Sequence, residues 1–223
     1  MALLAESTEA TFRELIGLEF VYMEEEQRQG AAKEQDFLWI RAFLNNDRNA
    51  FDSLVRCHQD RVFNLCFRMM GEYEEANDCA QETFFKAYKA LRDFRFEASF
   101  STWVLTIAVN VCRNKLKSLE YRTRQRMVRI RSSSEKMEPV DHVEIEDPAP
   151  NALDQLAKRE QELLLQRAID ELAHDARAVV VLRDIEGLSY EEISQITGYN
   201  LGTVKSRLSR ARQQLRDKLK GLI

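Results

Sequence analysis

The chain has 223 residues, of which 31% are charged and 44% are hydrophobic. This balance excludes collagen-like and simple disordered polymers, and it leaves enough apolar side chains for a core. Only 7 glycines and 3 prolines occur, too few for the many turns of an all-β fold. We therefore predict an all-α protein with two helical domains joined by a flexible linker.

The N-terminal segment, residues 1–33, is acidic and has a weak apolar pattern, which predicts a short helix or a tail. It lacks the basic-then-apolar order of a secretory signal. The longest uncharged run near the middle of the chain, residues 98–112, is shorter than the roughly 20 apolar residues of a transmembrane helix. Membrane insertion is therefore not expected, and the cytoplasm is the expected compartment. Met23 offers an alternative start, which N-terminal sequencing of the native protein would test.

Residues 34–121 are predicted to form a first domain of four helices. Helical spacing of apolar residues begins at Phe37, and a second run extends to Gly71. The third helix is expected over about residues 73–91 and the fourth over about residues 101–119.

The third helix has one face that combines carboxylates with an aromatic ring, opposite a face that is apolar. An exposed phenylalanine beside carboxylates indicates contact with a protein partner. Burial of both faces within the domain is the alternative. The residues of the mixed face are Asp78, Gln81, Glu82 and Phe85.

The fourth helix carries a polar and aromatic stripe with spacings of 3, 4, 3 and 4 residues. A ring can stack on an unstacked base, an amide can read a base edge, and cations can hold phosphates, so the stripe suits a single strand. Burial of the stripe in the core is the alternative. Its residues are Trp103, Thr106, Asn110, Arg113 and Lys117, and the preceding loop adds Phe94 and Phe96.

Residues 122–150 contain arginines, three consecutive serines and all three prolines, which favours a flexible linker. Residues 151–223 are predicted to form the second helical domain. Within it, residues 179–182 suit a strand by propensity, but their alanine-rich surroundings without breakers favour a helix.

The second domain ends in a predicted helix-turn-helix. Ser189 and Glu192 have the spacing of a capping box, Gly198 ends that helix, and Asn200 can cap the next, expected over about residues 201–219. The spacing of apolar residues in this last helix predicts one buried stripe. The opposite side of the helix carries side chains suited to contact DNA in the major groove. A hairpin with a solvated basic face is the alternative. The candidate DNA-contacting residues are Thr203, Lys205, Ser206, Arg207, Ser209 and Arg210.

The net charge of −4 conceals two basic blocks in an acidic background. Residues 112–136 contain 9 basic and 2 acidic residues, and residues 199–223 contain 7 and 1. Two separated basic surfaces indicate two contacts with one polyanion, whereas the acidic remainder disfavours non-specific binding by the free protein.

No catalytic residue, cofactor or metal site is expected. The cysteines include no CxxC pair, and no histidine stands at ligand spacing, so they are interpreted as small apolar residues of a reduced core. Redox sensing is the alternative. The absence of an HExxH motif and of a phosphate-binding loop disfavours an enzyme. The four cysteines are Cys57, Cys66, Cys79 and Cys112.

Several of these motifs together resemble the ECF (extracytoplasmic-function) sigma factors of bacterial RNA polymerase, within the sigma-70 superfamily. The resemblance covers about residues 34–223 in the family's order and spacing. The matching motifs are Asp78-x-x-Gln81-Glu82-x-Phe84, the Ser101-Thr102-Trp103 segment with Ile107-Ala108 and Asn110, the run 187–193 and the run 202–207.

The resemblance implies that the first domain is sigma region 2, which binds polymerase and recognises and melts the −10 element. The second domain would be sigma region 4, which reads the −35 element as duplex. The third helix would dock on the polymerase clamp, and the fourth helix with its preceding loop would capture a flipped base of the non-template strand. The implied partners are core RNA polymerase, through its β′ clamp and β subunits, promoter DNA and a cognate anti-sigma factor.

A helix-turn-helix regulator that acts without polymerase is the alternative function. It would leave the stripe on the fourth helix and the mixed face of the third helix unexplained. Tight, salt-sensitive binding of duplex DNA by the free protein would favour it. A pure protein adaptor would leave both basic blocks unexplained.

Overall fold

A computed structural model of the chain describes residues 25–130 and 163–220, with side chains described in residues 33–119 and 163–220. Every regular element in these ranges is helical, in two groups along the chain, so the all-α prediction is confirmed. Across the same ranges, no helix combines the length and the apolar character needed to cross a bilayer.

Within residues 25–130, the first helical unit contains four helices and one short 3-10 turn. The second, third and fourth helices pack on one another around a core that includes the fully buried side chains of Leu54, Leu65 and Leu105. The elements are α1 (Glu25–Leu44), α2 (Asn49–Met70), α3 (Tyr73–Ala90), the turn Leu91–Asp93 and α4 (Phe100–Ile130).

Two predicted boundaries differ from the structure. Helix α1 already includes Glu25, so the expected domain boundary at residue 34 falls inside a helix. Helix α4 continues to Ile130, so the start of the predicted linker is helical, because residues 120–130 contain no glycine or proline. Residues 1–24 and 131–162, with most of the predicted extension and linker, lie outside the described residues.

Local capping explains where α2, α3 and α4 begin and end. Gly71 ends α2 with a φ of 77°, and its N–H donates to the carbonyl of Phe67. The carboxylate of Glu72 then accepts from the first backbone N–H groups of α3. The Ser99 hydroxyl accepts from the Thr102 N–H at 3.0 Å at the start of α4.

In the described part of the second helical unit, residues 163–220, there are four helices and one turn of π-helix. Residues 179–182 are buried and helical, so the helical interpretation of this run is confirmed. The α-helix that contains the start of this run passes into a π turn at Val181. The elements are α5 (163–170), α6 (His174–Val180), the π turn Val181–Ile185, α7 (Tyr190–Thr197) and α8 (Leu201–Leu219).

The two units pack directly on each other. The buried guanidinium of Arg177 donates to the carbonyl of Met69 at the end of α2, across 108 residues of sequence. A Cβ atom added at Gly71 would lie 2.7 Å from the carboxylate of Asp170, so this approach requires glycine. Arg61 also pairs with Glu186 at 2.7 Å. The end of α2 is therefore a fixed contact point between the units.

Candidate nucleic-acid interfaces

The helix-turn-helix forms as its capping residues predict. Ser189 accepts from the Glu192 N–H, and the Glu192 carboxylate accepts from the Ser189 N–H at 2.9 Å, which completes the capping box. Gly198 ends α7 with a φ of 72°. The Asn200 side chain accepts from the Thr203 N–H at 2.8 Å and starts α8. These caps fix the angle at which α8 leaves the turn.

Helix α8 turns its apolar stripe inward and its predicted DNA-contacting side outward. Lys205, Ser209 and Arg210 are exposed, while Thr203 and Ser206 are half-buried. Arg207 differs, because its guanidinium pairs with Asp175 at 2.8 Å and lies over the Tyr199 ring. The buried residues of the stripe are Val204, Leu208, Ala211 and Leu215.

A buried ion pair joins α8 to the π turn of the same unit. The Arg212 guanidinium donates to the Asp184 carboxylate at 3.1 Å, and both side chains are less than a tenth exposed. Asp184 lies in the π turn. Neither residue could be assigned a role from sequence, because no local spacing links two positions 28 residues apart.

Helix α4 presents the predicted polar stripe along one side, with none of its members fully buried. Asn110 and Lys117 are exposed, and Trp103, Thr106 and Arg113 are half-buried. The Thr106 hydroxyl donates a hydrogen bond of 2.8 Å to the carbonyl of Thr102, one turn earlier in the same helix. The stripe is therefore not wholly core, although Trp103 packs against the core and both Thr106 and Arg113 make internal hydrogen bonds.

An aromatic cluster joins the preceding loop to α4. The Phe94 ring lies 4.8 Å from the Phe96 ring and 5.1 Å from that of Trp103. Phe94 is 9% exposed, so it supports the loop from inside, whereas Phe96 is 43% exposed. Phe96 has a φ of 59°, a strained value for a bulky residue that is typical of functional loops.

A cleft of about 400 Å³ opens beside this cluster, between α1 and the loop that precedes α4. Its walls combine aromatic rings with charged groups, so it can take a planar ring that also carries polar edges. The lining includes Lys33, Asp36, Phe37, Phe96, Glu97 and Phe100.

The mixed face of α3 is exposed. Asp78, Gln81, Glu82 and Phe85 all point to solvent, so burial of both sides of α3 is excluded. Phe85 is 59% exposed, and the ammonium of Lys89 lies 4.0 Å from its ring centre. The Asp78 carboxylate accepts from Lys115 at 3.0 Å. The face thus presents one aromatic side chain among charges.

Arg113 does not project freely from α4. Its guanidinium donates to the Tyr199 hydroxyl at 2.7 Å, in the turn after α7, and to the carbonyl of Thr197 at 3.3 Å, at the end of α7. It also lies 3.6 Å from the Asp175 carboxylate, and its side chain is 13% exposed. Asp175 therefore faces one arginine from α4 and another, Arg207, from α8.

The charges around Asp175 set its protonation. Burial alone would raise the pKa of Asp175, but hydrogen bonds from Tyr199 and Arg207 and the charge of Arg113 lower it below its ordinary value. Burial and the Asp175 carboxylate raise the pKa of Tyr199. At neutral pH the cluster thus contains one carboxylate, one phenol and two guanidinium groups.

Family comparisons match both helical units. The family described as Sigma-70 region 2 matches residues 54–123, and the family described as Sigma-70, region 4 matches residues 162–215.

Individual relatives with similar sequences are RNA polymerase sigma factors. The RNA polymerase sigma-H factor of Pseudomonas aeruginosa is 36% identical over 193 residues, which cover 86% of this chain and 97% of the relative. The ECF RNA polymerase sigma-E factor of Haemophilus influenzae is 33% identical, and the match covers 79% of this chain and 91% of the relative. The ECF RNA polymerase sigma factor SigE of Mycolicibacterium smegmatis is 40% identical over 170 residues, 76% of this chain, and the match spans 62% of SigE.

Two solved structures have a similar fold. The sigma factor RpoE in complex with the anti-sigma factor NepR, from Bartonella quintana, has a TM-score of 0.54 and 26% identity over 76% of this chain and 96% of RpoE. CnrH in complex with the cytosolic domain of CnrY has a TM-score of 0.58 and 20% identity, over 84% of this chain and 98% of CnrH. At this identity the similarity shows the fold alone.

Proposed function

The chain belongs to the extracytoplasmic-function sigma factors of the sigma-70 family, and we propose that it binds core RNA polymerase and directs promoter-specific initiation. In this proposal residues 34–121 act as region 2, residues 122–150 as the linker and residues 151–223 as region 4. Region 4 reads the −35 element, and region 2 recognises and opens the −10 element.

The observation that carries this proposal is the presence of two separate candidate DNA surfaces on one chain. Helix α8 exposes Lys205, Ser209 and Arg210, and α4 exposes Asn110 and Lys117 beside the aromatic cleft. A regulator that acts alone needs only the first surface. The second surface suits an unstacked base, which a stand-alone duplex binder does not use.

At the −35 element, α8 would enter the major groove with its N-terminal half. Arg210 and Lys205 are long enough to reach base edges or phosphates, and Ser209 offers a short hydroxyl. Thr203, Ser206 and Arg207 would complete this contact. Arg207 must first leave Asp175.

At the −10 element, the loop before α4 would receive a flipped base. The cleft beside Phe96 has room for a base, and Trp103 supports the aromatic cluster behind it. In this arrangement Phe94 supports the loop by packing on Phe96 and Trp103, and it does not contact the base itself. Asn110, Arg113 and Lys117 follow along α4, where an amide and two cations suit the strand that continues from the base, and Thr106 lies between them.

The exposed face of α3 would dock on the polymerase. A large exposed aromatic residue with a polar rim is typical of a protein interface. Phe85 would anchor the contact, while Asp78 and Glu82 would meet cations of the β′ clamp, with Gln81 between them.

The arrangement around Asp175 gives the free protein a closed form in this proposal. Arg113 of the first unit faces Asp175 of the second, so Arg113 cannot contact phosphate until the two units separate. Arg207 pairs with the same carboxylate within the second unit and is released only when it leaves Asp175. We expect polymerase to stabilise the separated form. Since the related RpoE is solved with an anti-sigma factor bound, we also propose an anti-sigma partner that stabilises the closed form.

Run-off transcription tests the proposal. Sigma-free core polymerase is combined with the full chain and with DNA fragments of the source genome. We expect discrete transcripts that depend on the protein and share two upstream elements. Failure to bind core, together with an absence of transcripts, would overturn the proposal in favour of the stand-alone regulator.

A variant pair separates polymerase binding from folding. Asp78→Lys reverses a charge on the docking face and should weaken core binding at least about tenfold, because like charges across an interface are costly. Asp60→Lys makes the same change at an exposed position on α2 and should leave core affinity unchanged. Equal core affinity for both variants would remove the α3 face from the proposal.

A further inference from the structure

Three potential metal ligands converge where α1 packs on α2. Both carboxylate oxygens of Asp36 lie within hydrogen-bond distance of His58 Nε2, at 2.9 and 3.0 Å. Cys57 precedes His58 on α2, and one ligand atom from each of the three residues lies within 4.8 Å of the other two. Asp36 and His58 are 4% and 7% exposed, whereas Cys57 is exposed.

The ligand set selects a class of metal ion. Thiolate sulfur, imidazole nitrogen and carboxylate oxygen are the three ligand types of zinc, with bond lengths of about 2.0–2.3 Å. Those lengths place tetrahedral ligand atoms about 3.3–3.8 Å apart. The ligand atoms of Asp36, Cys57 and His58 are within about 1 Å of that separation, so rotamer adjustments can complete the site.

We propose that Asp36, Cys57 and His58 form a site for a zinc-class divalent cation. Asp36 also lines the cleft beside the loop before α4, and this cleft gives the ion a path from solvent. It also leaves room for water as the fourth ligand. Three protein ligands and one open position distinguish this site from a closed structural zinc site.

The surroundings of the ligands restrict the imidazole and leave the thiol exposed. The Phe100 ring lies 5.1 Å from the His58 ring and restricts its orientation. When the ion binds, the Cys57 thiol proton leaves to solvent as the sulfur coordinates.

The site goes beyond the proposed function and does not depend on it. The spacing of cysteines and histidines along the chain does not predict this site. Cys57 and His58 are adjacent in sequence, and Asp36 lies 22 positions before His58 on another helix. Only the packing of α1 on α2 brings them together.

Cobalt(II) titration of the untagged, chelator-stripped full chain tests the proposal. We expect one cobalt ion per chain, a thiolate-to-cobalt charge-transfer band and visible bands of tetrahedral intensity, all displaced by zinc. Cys57→Ser should abolish the charge-transfer band. Loss of a second-shell partner typically weakens a site about 10–100-fold, so Asp36→Asn and His58→Gln should weaken binding at least as much.

The matched control is Asp52→Asn, at an exposed carboxylate earlier on α2, which should bind cobalt as the wild type does. A measurement on the wild type avoids any variant that fails to fold. Cys57 is the single exposed cysteine of the four, so zinc should protect one fast-reacting thiol from a thiol reagent. No cobalt spectrum, or a Cys57 reaction rate unchanged by zinc, would overturn the proposal.

Discussion

Arg113 on α4 donates a hydrogen bond of 2.7 Å to the hydroxyl of Tyr199, which lies in the turn of the helix-turn-helix. This bond joins residues 86 positions apart in sequence. It connects the surface proposed for the −10 strand to the surface proposed for the −35 duplex. Arg113, which is proposed to bind DNA, therefore also joins the first unit to the second.

Asp175→Asn should loosen this contact, because it removes the negative charge that both Arg113 and Arg207 face. We expect the free protein to bind non-specific duplex DNA more tightly. Each additional phosphate contact should steepen the salt dependence by about one in the log–log slope. Fluorescence anisotropy over a salt series measures both quantities, with Asp60→Asn as the control. The same affinity and slope in wild type and variant would contradict this role of Asp175.

The same variant predicts a difference in acid stability. The folded pKa of Asp175 lies below its ordinary value of 3.8, so its stabilising contribution is complete above pH 3.8. It is lost as the pH falls through the lowered folded pKa. Below pH 3.8 the unfolding free energy of the wild type should therefore fall more steeply than that of Asp175→Asn. Denaturant titrations at a series of pH values measure the unfolding free energies of both proteins.

Arg210→Ala should weaken use of the upstream promoter element. Arg210 is exposed on α8 beside Ser209, and loss of a base contact typically costs about 1–3 kcal/mol. Promoter binding by the reconstituted holoenzyme, measured on templates with and without the −35 element, reports the effect. Gln214→Ala, one turn later and also exposed, is the control. Unchanged discrimination between the two templates would refute the assignment.

Asn110→Ala should impair DNA opening without affecting assembly with polymerase. Asn110 is exposed on the polar stripe of α4, whereas the proposed docking face is on α3. Core affinity should therefore match that of the wild type, while permanganate reactivity of thymines near the start site should fall. Gln59→Ala on α2 removes a similar exposed amide elsewhere and should change neither quantity. Wild-type permanganate reactivity in the Asn110 variant would count against the proposed contact.

Arg212→Ala should destabilise the second unit. The substitution leaves the Asp184 carboxylate buried without the guanidinium that now binds it. Removing one partner of a buried ion pair typically costs about 3–5 kcal/mol. Chemical denaturation followed by circular dichroism measures the change, and the exposed Gln214→Ala should stay within about 0.5 kcal/mol of the wild type. A loss below about 1 kcal/mol would show that the pair contributes little.

The local features of this fold could be predicted from sequence because they depend on residues close together in the chain. Ser189, Gly198 and Asn200 cap helices through bonds that span three or four positions, and the structure confirms each one. The stripe of α8 follows from its spacing alone. The exposure of the α3 face also follows, once Ala80 and Ala87 are placed on the buried side.

The contacts between the units could not be predicted in this way. Asp175 and Tyr199 match no motif, and they become meaningful only when packing places them beside Arg113. The Asp184–Arg212 pair and the Asp36–His58 pair depend likewise on contacts between helices. Phe94 was expected at the DNA surface, yet its ring is buried beneath Phe96, because spacing cannot distinguish the support of a loop from its tip.

The closed arrangement of the free protein is tested most directly by the distance between the two units. Dyes are placed on Asp52→Cys in α2 and Gln214→Cys in α8, both exposed, with Cys57→Ser to prevent labelling of the native thiol. Single-molecule energy transfer should report one short distance in the free chain. Addition of core polymerase and promoter DNA should lengthen that distance. A free chain that already shows the long distance, or a transcribing complex that keeps the short one, would contradict the closed arrangement.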